Sequence, residues 1–428
     1  MASSSSSPSW RSSSMARSGC SSDVSCVGRR HRQRAPCSRS DRAINRPTFR
    51  FFGGKMTQSN GESVANYPGF AGHVGETFAK STPSWQEKPT APAGAPNIVF
   101  VIADDLGYSD LGCYGSEIAT PNIDALAGRG LRYTNFHVTP LCSPTRAAFM
   151  TGRNNHAVGM GYVANIDPGF PGYASELPAN QPSLPETLRA NGYSTLAVGK
   201  WHLAKDADLT ETGDKSSWPL QRGFEQYYGF LEALTNFWHP HRLYEGNSVV
   251  HVDEYPSDYY LTDDLTDRAV RMMKDVKASN PSKPFFLYFA HGAVHAPLHA
   301  KPGDIAKYKG LYECGWDELR ARRFARQKEL GLVGPDTVLP PRNTEPGESV
   351  PPWDSLSDQQ KTLYARYMEV YAGMVDNIDQ SVGRLVATLE ELGELENTIF
   401  IFTSDNGASR EGNELGARSY FRGFAVSG

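Results

Sequence analysis

Five short segments place chemically capable side chains where a folded chain could gather them. Asp104-Asp105 and Asp405-Asn406 each follow an apolar run. Adjacent carboxylates repel one another unless a cation or a partner is present. The two pairs together offer three carboxylates and an amide oxygen, hard donors that suit Ca²⁺ or Mg²⁺ rather than zinc. Taken alone, Asp104-Asp105 is equally a solvated loop or a helix cap. Cys142 precedes Ser143-Pro144-Thr145, a helix opening, so free N–H groups and a positive dipole end would lie beneath it. Arg146 follows one helical turn later and can face the same side. A lone cysteine at a helix start is otherwise a small buried residue. Lys200 and His202 close another apolar run, in Gly199-Lys200-Trp201-His202, and alternate spacing predicts one face of an extended strand end for both. His295 follows a further apolar run, with His291 and His299 nearby as structural or exposed residues.

The elements that must position these groups are legible as hydrophobic runs. Residues 98–103 are continuously apolar and rich in β-branched residues, which predicts a strand buried on both faces. Similar strands are predicted at 194–198, 285–290 and 398–403. Helices are predicted after Thr120-Pro121, with threonine as N-cap and proline at the first helical position, and over 143–150, 184–191, 262–278 and 358–392. Residues 334–354, rich in Pro and Gly, predict a long surface loop. Alternating strands and helices indicate an α/β fold with a large, mostly parallel mixed sheet flanked by helices. Open sheets of this kind place their sites at the carboxyl ends of strands, where Asp104, Lys200, His295 and Asp405 fall.

The stretch from Leu141 to Arg153, with Cys142-Ser143-Pro144-Thr145-Arg146 and Thr151-Gly152-Arg153, resembles the signature of the type I sulfatases. Gly199-Lys200-Trp201-His202, His295-Ala296-Pro297-Leu298 and Asp405-Asn406-Gly407 resemble further segments of that family, in the same order, over residues 96–410. The likeness is to bacterial arylsulfatases. It implies an alkaline phosphatase-like fold, one bound Ca²⁺ on Asp104, Asp105, Cys142, Asp405 and Asn406, and a small sulfated, aryl-type substrate. It also implies that a formylglycine-generating enzyme oxidises Cys142 to an aldehyde. Hydrated, that aldehyde bears two hydroxyls on one carbon: one to attack sulfur, the other to expel sulfate as the carbonyl re-forms. By the same resemblance Lys200 and His295 hold sulfate, His295 protonates the leaving oxygen, His202 contacts the formylglycine hydroxyl, Arg146 holds that group or the metal's carboxylates, and Asp405 activates the nucleophile.

The resemblance breaks at one place. Sulfatases carry a second sulfate-binding lysine downstream of the Asp-Asn-Gly strand, and no lysine follows Asp405 here. The expectation is a chain lacking the C-terminal subdomain, with 411–428 an atypical tail and Arg418 or Arg422 as chance substitutes. Losing one cation from the cradle would weaken transition-state binding by about 2–4 kcal/mol. Two other outcomes stay open: phosphonate or phosphate ester hydrolysis by the same nucleophile, and an inactive remnant.

Charge separates the ends of the chain from its body. Residues 1–55 are Ser- and Arg-rich with a net charge of +9, and the remainder carries −13. The leader, a transit peptide or a mis-assigned start before Met56, is expected to be disordered. Residues 56–95 form an arm ending in a Pro/Ala linker. An acidic body argues against nucleic acid as partner. No run is long and apolar enough to predict a membrane span. Cys113, Cys142 and Cys314, the three cysteines of the body, make no disulfide framework. Lacking an apolar signal core and a glycosylation sequon, the chain is expected to be cytoplasmic. Aromatic residues around Asn236–His241 offer either an aryl pocket or core packing.

Overall fold

The computed structural model describes residues 70–85, 87–345, 349–409 and 411. The leader 1–55, residues 56–69 and 86 of the arm, and Arg418 and Arg422 lie outside the described residues. The chain divides into two compact units, Met1–Trp85 and Gln86–Gly428. The described part of the first holds a short 3-10 turn, Phe78–Lys80, and an antiparallel bridge between His73 and Thr82.

The second unit is built on a seven-stranded sheet. Its strands are β1 (Asn97–Ala103), β2 (Ser194–Lys200), β3 (Gln226–Phe230), β4 (Leu243–Glu245), β5 (Ser248–Val250), β6 (Phe285–Ala290) and β7 (Thr398–Ser404). Their order is β5-β4-β3-β2-β6-β1-β7, parallel from β3 to β7 and antiparallel among β3, β4 and β5. Among the described residues seven α-helices accompany it: α1 (Pro121–Arg129), α2 (Cys142–Thr151), α3 (Leu184–Ala190), α4 (Leu261–Ser279), α5 (Pro302–Ala306), α6 (Gly315–Glu329) and α7 (Asp358–Glu391).

Period-two alternation divides the core between the faces of the sheet. Val99, Val101 and Ala103 pack with Leu287 and Phe289 and with the apolar stripes of α4 and α7. Phe100, Ile102, Tyr288 and Ala290 point the other way, against Ala147 and Met150 of α2. Both faces of β1, β2 and β6 are therefore covered, which is why these strands read as unbroken apolar runs. Each predicted strand and helix is present, with small shifts at the ends. The short strands β3–β5 and the helices α5 and α6 were not legible. α6 is rich in charge and buries little beyond Gly315, so it shows no clear apolar stripe. At α1, Pro121 occupies the first turn as expected, but Thr120 makes no side-chain cap. Its hydroxyl instead donates to Asp124 Oδ1 at 2.9 Å and accepts from Gly112 N at 2.8 Å.

Register sets the positions of the site. Ala103 pairs with Ser404, so the residues that follow, Asp104 and Asp405, emerge side by side. Gly199 pairs with Ala290, and Ala290 with Ile102, so Lys200 emerges at the same end of the sheet. β2 does not continue in extended form to His202, whose φ is +51°. Strand alternation therefore stops at Lys200 and does not by itself align the two side chains.

Gly199 has φ +97°, and a Cβ there would lie 1.8 Å from the Ala290 carbonyl oxygen. Gly393, just beyond α7, has φ +68° with nothing within 4 Å of a Cβ. Gly393→Ala should lose only the left-handed penalty, about 1–2 kcal/mol. Gly199→Ala adds a backbone collision, worth about 1–3 kcal/mol more. Urea unfolding of the two variants should rank them in that order; equal midpoints would contradict the close approach of β2 and β6.

Candidate active site

Cys142 is the first residue of α2 and is buried. Leu141 at the N-cap gives no side-chain cap, so the helix end meets the site with its own N–H groups. Burial, with Asp104 and Asp405 adding to it and Lys200 opposing, pushes the thiol up to about 11. The unmodified side chain is thus a neutral thiol at physiological pH, a weak nucleophile.

Four residues on, Arg146 is fully buried and its guanidinium spans the strand ends. Nε and Nη2 donate to Asp405 Oδ2 at 3.1 and 2.8 Å, Nη2 reaches Asp104 Oδ1 at 3.4 Å, and Nη1 donates to the Lys200 carbonyl at 3.1 Å. Tyr288 Oη, on β6, lies 3.4 Å from Nη1. Of the two roles left open for Arg146, the structure shows it on the carboxylates. Lys200 Nζ donates to Asp104 Oδ2 at 2.7 Å. Burial opposes charge on both cations, and the facing acids outweigh it, raising both above their ordinary values. Asp405 is pushed up to about 6, first by burial and then by Asp104, with Arg146 and Lys200 pulling back.

The two neighbouring aspartates diverge. Asp104 faces the cations. Asp105, at φ +60°, turns to Asn406, whose Nδ2 donates to Asp105 Oδ1 at 2.6 Å. The Asp105 amide donates to Asp405 Oδ1 at 3.2 Å, so both groups adjoin. Donor atoms of Asp104, Cys142 and Asp405 all lie within 4.8 Å of one another, as do those of Asp105, His295 and Glu411. Asn406 Oδ1 is buried and has no hydrogen-bond partner among the described residues. Three clustered carboxylates and an orphaned amide oxygen fit a hard divalent cation. The thiol sulfur of Cys142 does not, whereas an oxygen at that position would.

The two histidines are driven in opposite directions. His202 is buried, with Nδ1 3.2 Å from Cys142 Sγ and Nε2 3.2 Å from Asn165 Oδ1. Burial, then Lys200 and Arg146, hold it well below its ordinary value, so the ring is neutral. His295 has Nε2 2.9 Å from Glu411 and 3.6 Å from Asp105, and Nδ1 2.7 Å from the Ala296 carbonyl. Burial opposes its charge, but Asp104, Glu411 and Asp105 raise it to about 9. Both of its ring nitrogens face acceptors, which only the imidazolium can satisfy.

Asp104, Asp105, Cys142, Arg146, Lys200, His202, His295, Asp405 and Asn406 therefore meet at one end of the sheet. Glu411, Tyr288 and Asn165 were not anticipated: Glu411 fell in a segment set aside as a tail, and nothing in its composition marks Asn165. His291 is fully buried, with no hydrogen-bond partner at either nitrogen among the described residues. His299 accepts from Phe237 N at 3.5 Å. Phe237 and Trp238 pack on Tyr260, with ring centroids 5.9 and 4.9 Å away, so these two rings serve the core, while His239 and His241 are exposed.

Fold and site define an alkaline phosphatase-like α/β protein that gathers acids and cations at the carboxyl ends of its parallel strands. The chain belongs to the sulfatase family, whose model matches residues 96–424. It is 38% identical to an uncharacterized sulfatase of Schizosaccharomyces pombe over 76% of this chain and 60% of that protein. To the arylsulfatase of Klebsiella aerogenes it is 33% identical, over 73% of this chain and 66% of the relative. The crystal structure of Ps i-CgsB in complex with k-i-k-neocarrahexaose superposes with a TM-score of 0.53 at 30% identity, covering 76% of this chain and 61% of that one. The chain thus spans about 60–66% of the length of these relatives.

Removing Arg146 would take from the buried Asp405 its guanidinium partner and leave Asp104 bonded to Lys200. Arg146→Leu should destabilise the protein by about 3–5 kcal/mol, the usual penalty for breaking a buried pair. The change is read from urea unfolding at neutral pH; a loss under 1 kcal/mol, the range of exposed pairs, would show that the pair does not hold the site together.

Proposed function

We propose that the protein hydrolyses sulfate monoesters with a nucleophile derived from Cys142. The observation that carries this reading is the placement of a buried, unreactive thiol at an uncapped helix N-terminus, among hard oxygen donors and two buried cations. A neutral thiol explains none of that apparatus; an oxygen nucleophile attacking an anionic ester does. Oxidised to formylglycine by a formylglycine-generating enzyme and hydrated, residue 142 supplies one hydroxyl to attack sulfur and a second to expel sulfate. Asp104, Asp105, Asp405 and Asn406, with residue 142, would hold one Ca²⁺, which would supply charge neutralisation on the sulfate.

The chain's own residues have distinct parts in this proposal. Lys200 and the α2 N-terminus draw the anionic ester. His202, neutral, presents Nδ1 to residue 142 as a proton acceptor. His295, protonated at Nε2, gives that proton to the leaving oxygen. Arg146 keeps the Asp405 and Asp104 carboxylates in place, and Asp405 is the further candidate to activate the nucleophile. The Klebsiella relative's name points to aryl esters and the Ps i-CgsB complex to an oligosaccharide, so both kinds of alcohol belong in the test.

Co-expressed with a formylglycine-generating enzyme, the chain should show aldehyde in place of thiol at residue 142 by peptide mass spectrometry. It should release sulfate from an aryl sulfate or a sulfated sugar. Cys142→Ser should abolish turnover and Cys113→Ser should not. Ca²⁺ should raise the melting temperature of the parent, and by less in Asn406→Ala. An intact thiol under these conditions, or sulfate release by Cys142→Ser at the parent rate, would sink the proposal.

A further inference from the structure

His202 is held by more than its sequence neighbours. The loop facing it carries Asn165, half-buried, whose Oδ1 lies 3.2 Å from Nε2. Two tethers hold this loop in place. The Ala164 amide donates to Ser143 Oγ at 3.0 Å, tying the loop to the first turn of α2, beside Cys142. Asp167 and Glu176 lie 3.5 and 3.1 Å from Lys205, tying it to the segment that leaves His202. Asn165 thus sits between anchors on both partners of the contact between residues 142 and 202.

A neutral imidazole has one N–H and one lone pair, and here it has two facing groups. If Nδ1 carried the proton, it would donate to a sulfur, a weak acceptor, while Nε2 took a proton from the amide NH₂. If Nε2 carries it, Nε2–H donates to an amide oxygen, a strong acceptor, and Nδ1 takes the thiol proton. Each arrangement contains one weak bond to sulfur, but only the second gives the imidazole N–H a strong acceptor and agrees with Asn165 Oδ1, rather than Nδ2, facing the ring. We infer that Asn165 is a positioning residue for His202: its amide oxygen keeps the imidazole proton on Nε2 and leaves the Nδ1 lone pair facing residue 142. The consequence for catalysis rests on the ester-hydrolysis proposal; the tautomer does not.

The experiment is ¹⁵N spectroscopy of the histidine rings in the full chain, with His202 assigned by its loss in His202→Gln. The parent should show the proton on Nε2. Asn165→Leu should lose this preference, and Asn165→Asp, which keeps an acceptor oxygen, should retain Nε2–H. In formylglycine-bearing protein, Asn165→Leu should lower kcat about 10–100-fold with KM unchanged, as for other residues that orient a catalytic group. Asn165→Asp should recover most of that loss. The inference is overturned if the parent carries the proton on Nδ1, if Asn165→Leu leaves the ring signals unchanged, if Asn165→Asp fails to retain Nε2–H, or if kcat is indifferent to Asn165→Leu in an active protein. Should no chain hydrolyse sulfate, the ring signals still decide the tautomer, so failure of the functional proposal and failure of this inference are separate results.

Discussion

The guanidinium of Arg146 is the centre on which the site's geometry depends. It rises from α2 on one face of the sheet and reaches acids that end two adjacent strands, Asp405 after β7 and Asp104 after β1. Lys200, at the end of β2, completes the cluster through Asp104. Two unit charges about 4 Å apart attract by about 4 kcal/mol at the effective dielectric typical of proteins. Taking the same charges out of water consumes much of that gain, so such a cluster is weak evidence of stability. Its value lies in specificity: a planar fork with fixed donor directions accepts few arrangements of its carboxylates. The helix bearing Cys142 is thereby set against the strand ends at one height.

The sheet makes this possible by delivering its ends in register. Because β2, β6, β1 and β7 are parallel neighbours, every residue just past a strand lies at the same end. The Ala103–Ser404 pairing brings Asp104 beside Asp405 without any contribution from the loops. Backbone departures then aim individual side chains. Asp105 at φ +60° turns away from Asp104 toward Asn406, and His202 at φ +51° turns out of the β2 direction. Non-glycine residues in this region of backbone space are uncommon and concentrate where function requires them.

Environment then separates side chains of the same kind. His202, between Lys200 and Arg146, stays neutral, while His295, facing Asp105 and Glu411, is held protonated. Titratable groups pushed apart in this way fit the acid and base roles proposed for them. Lys200 and Arg146 also work on residue 142, but burial outweighs them and keeps the thiol protonated. The site thus holds a buried, protonated thiol among acids and cations, in keeping with the modification proposed for Cys142.

The sequence by itself determined the strands and helices whose burial leaves an unbroken apolar run or a clear stripe, such as β1, β6, α4 and α7. It determined Asp104, Asp105, Cys142, Arg146, Lys200, His202, His295, Asp405 and Asn406 as one constellation, because Cys142 and Arg146 open a helix and the others lie in short motifs that follow apolar runs. It did not show β3–β5, which are short, or α6, whose face toward the protein is largely polar. Nor could it divide the work within the constellation. Whether Arg146 meets the carboxylates, which aspartate turns toward Asn406, and how far Lys200 and His202 share a face are settled by register and by positive-φ residues. Glu411 and Asn165 enter only through space, since neither carries a motif and both touch histidines distant in the chain. The protonation of the two histidines was likewise decided by the tertiary structure, because it is the sum of desolvation and of charges that only the fold brings within reach.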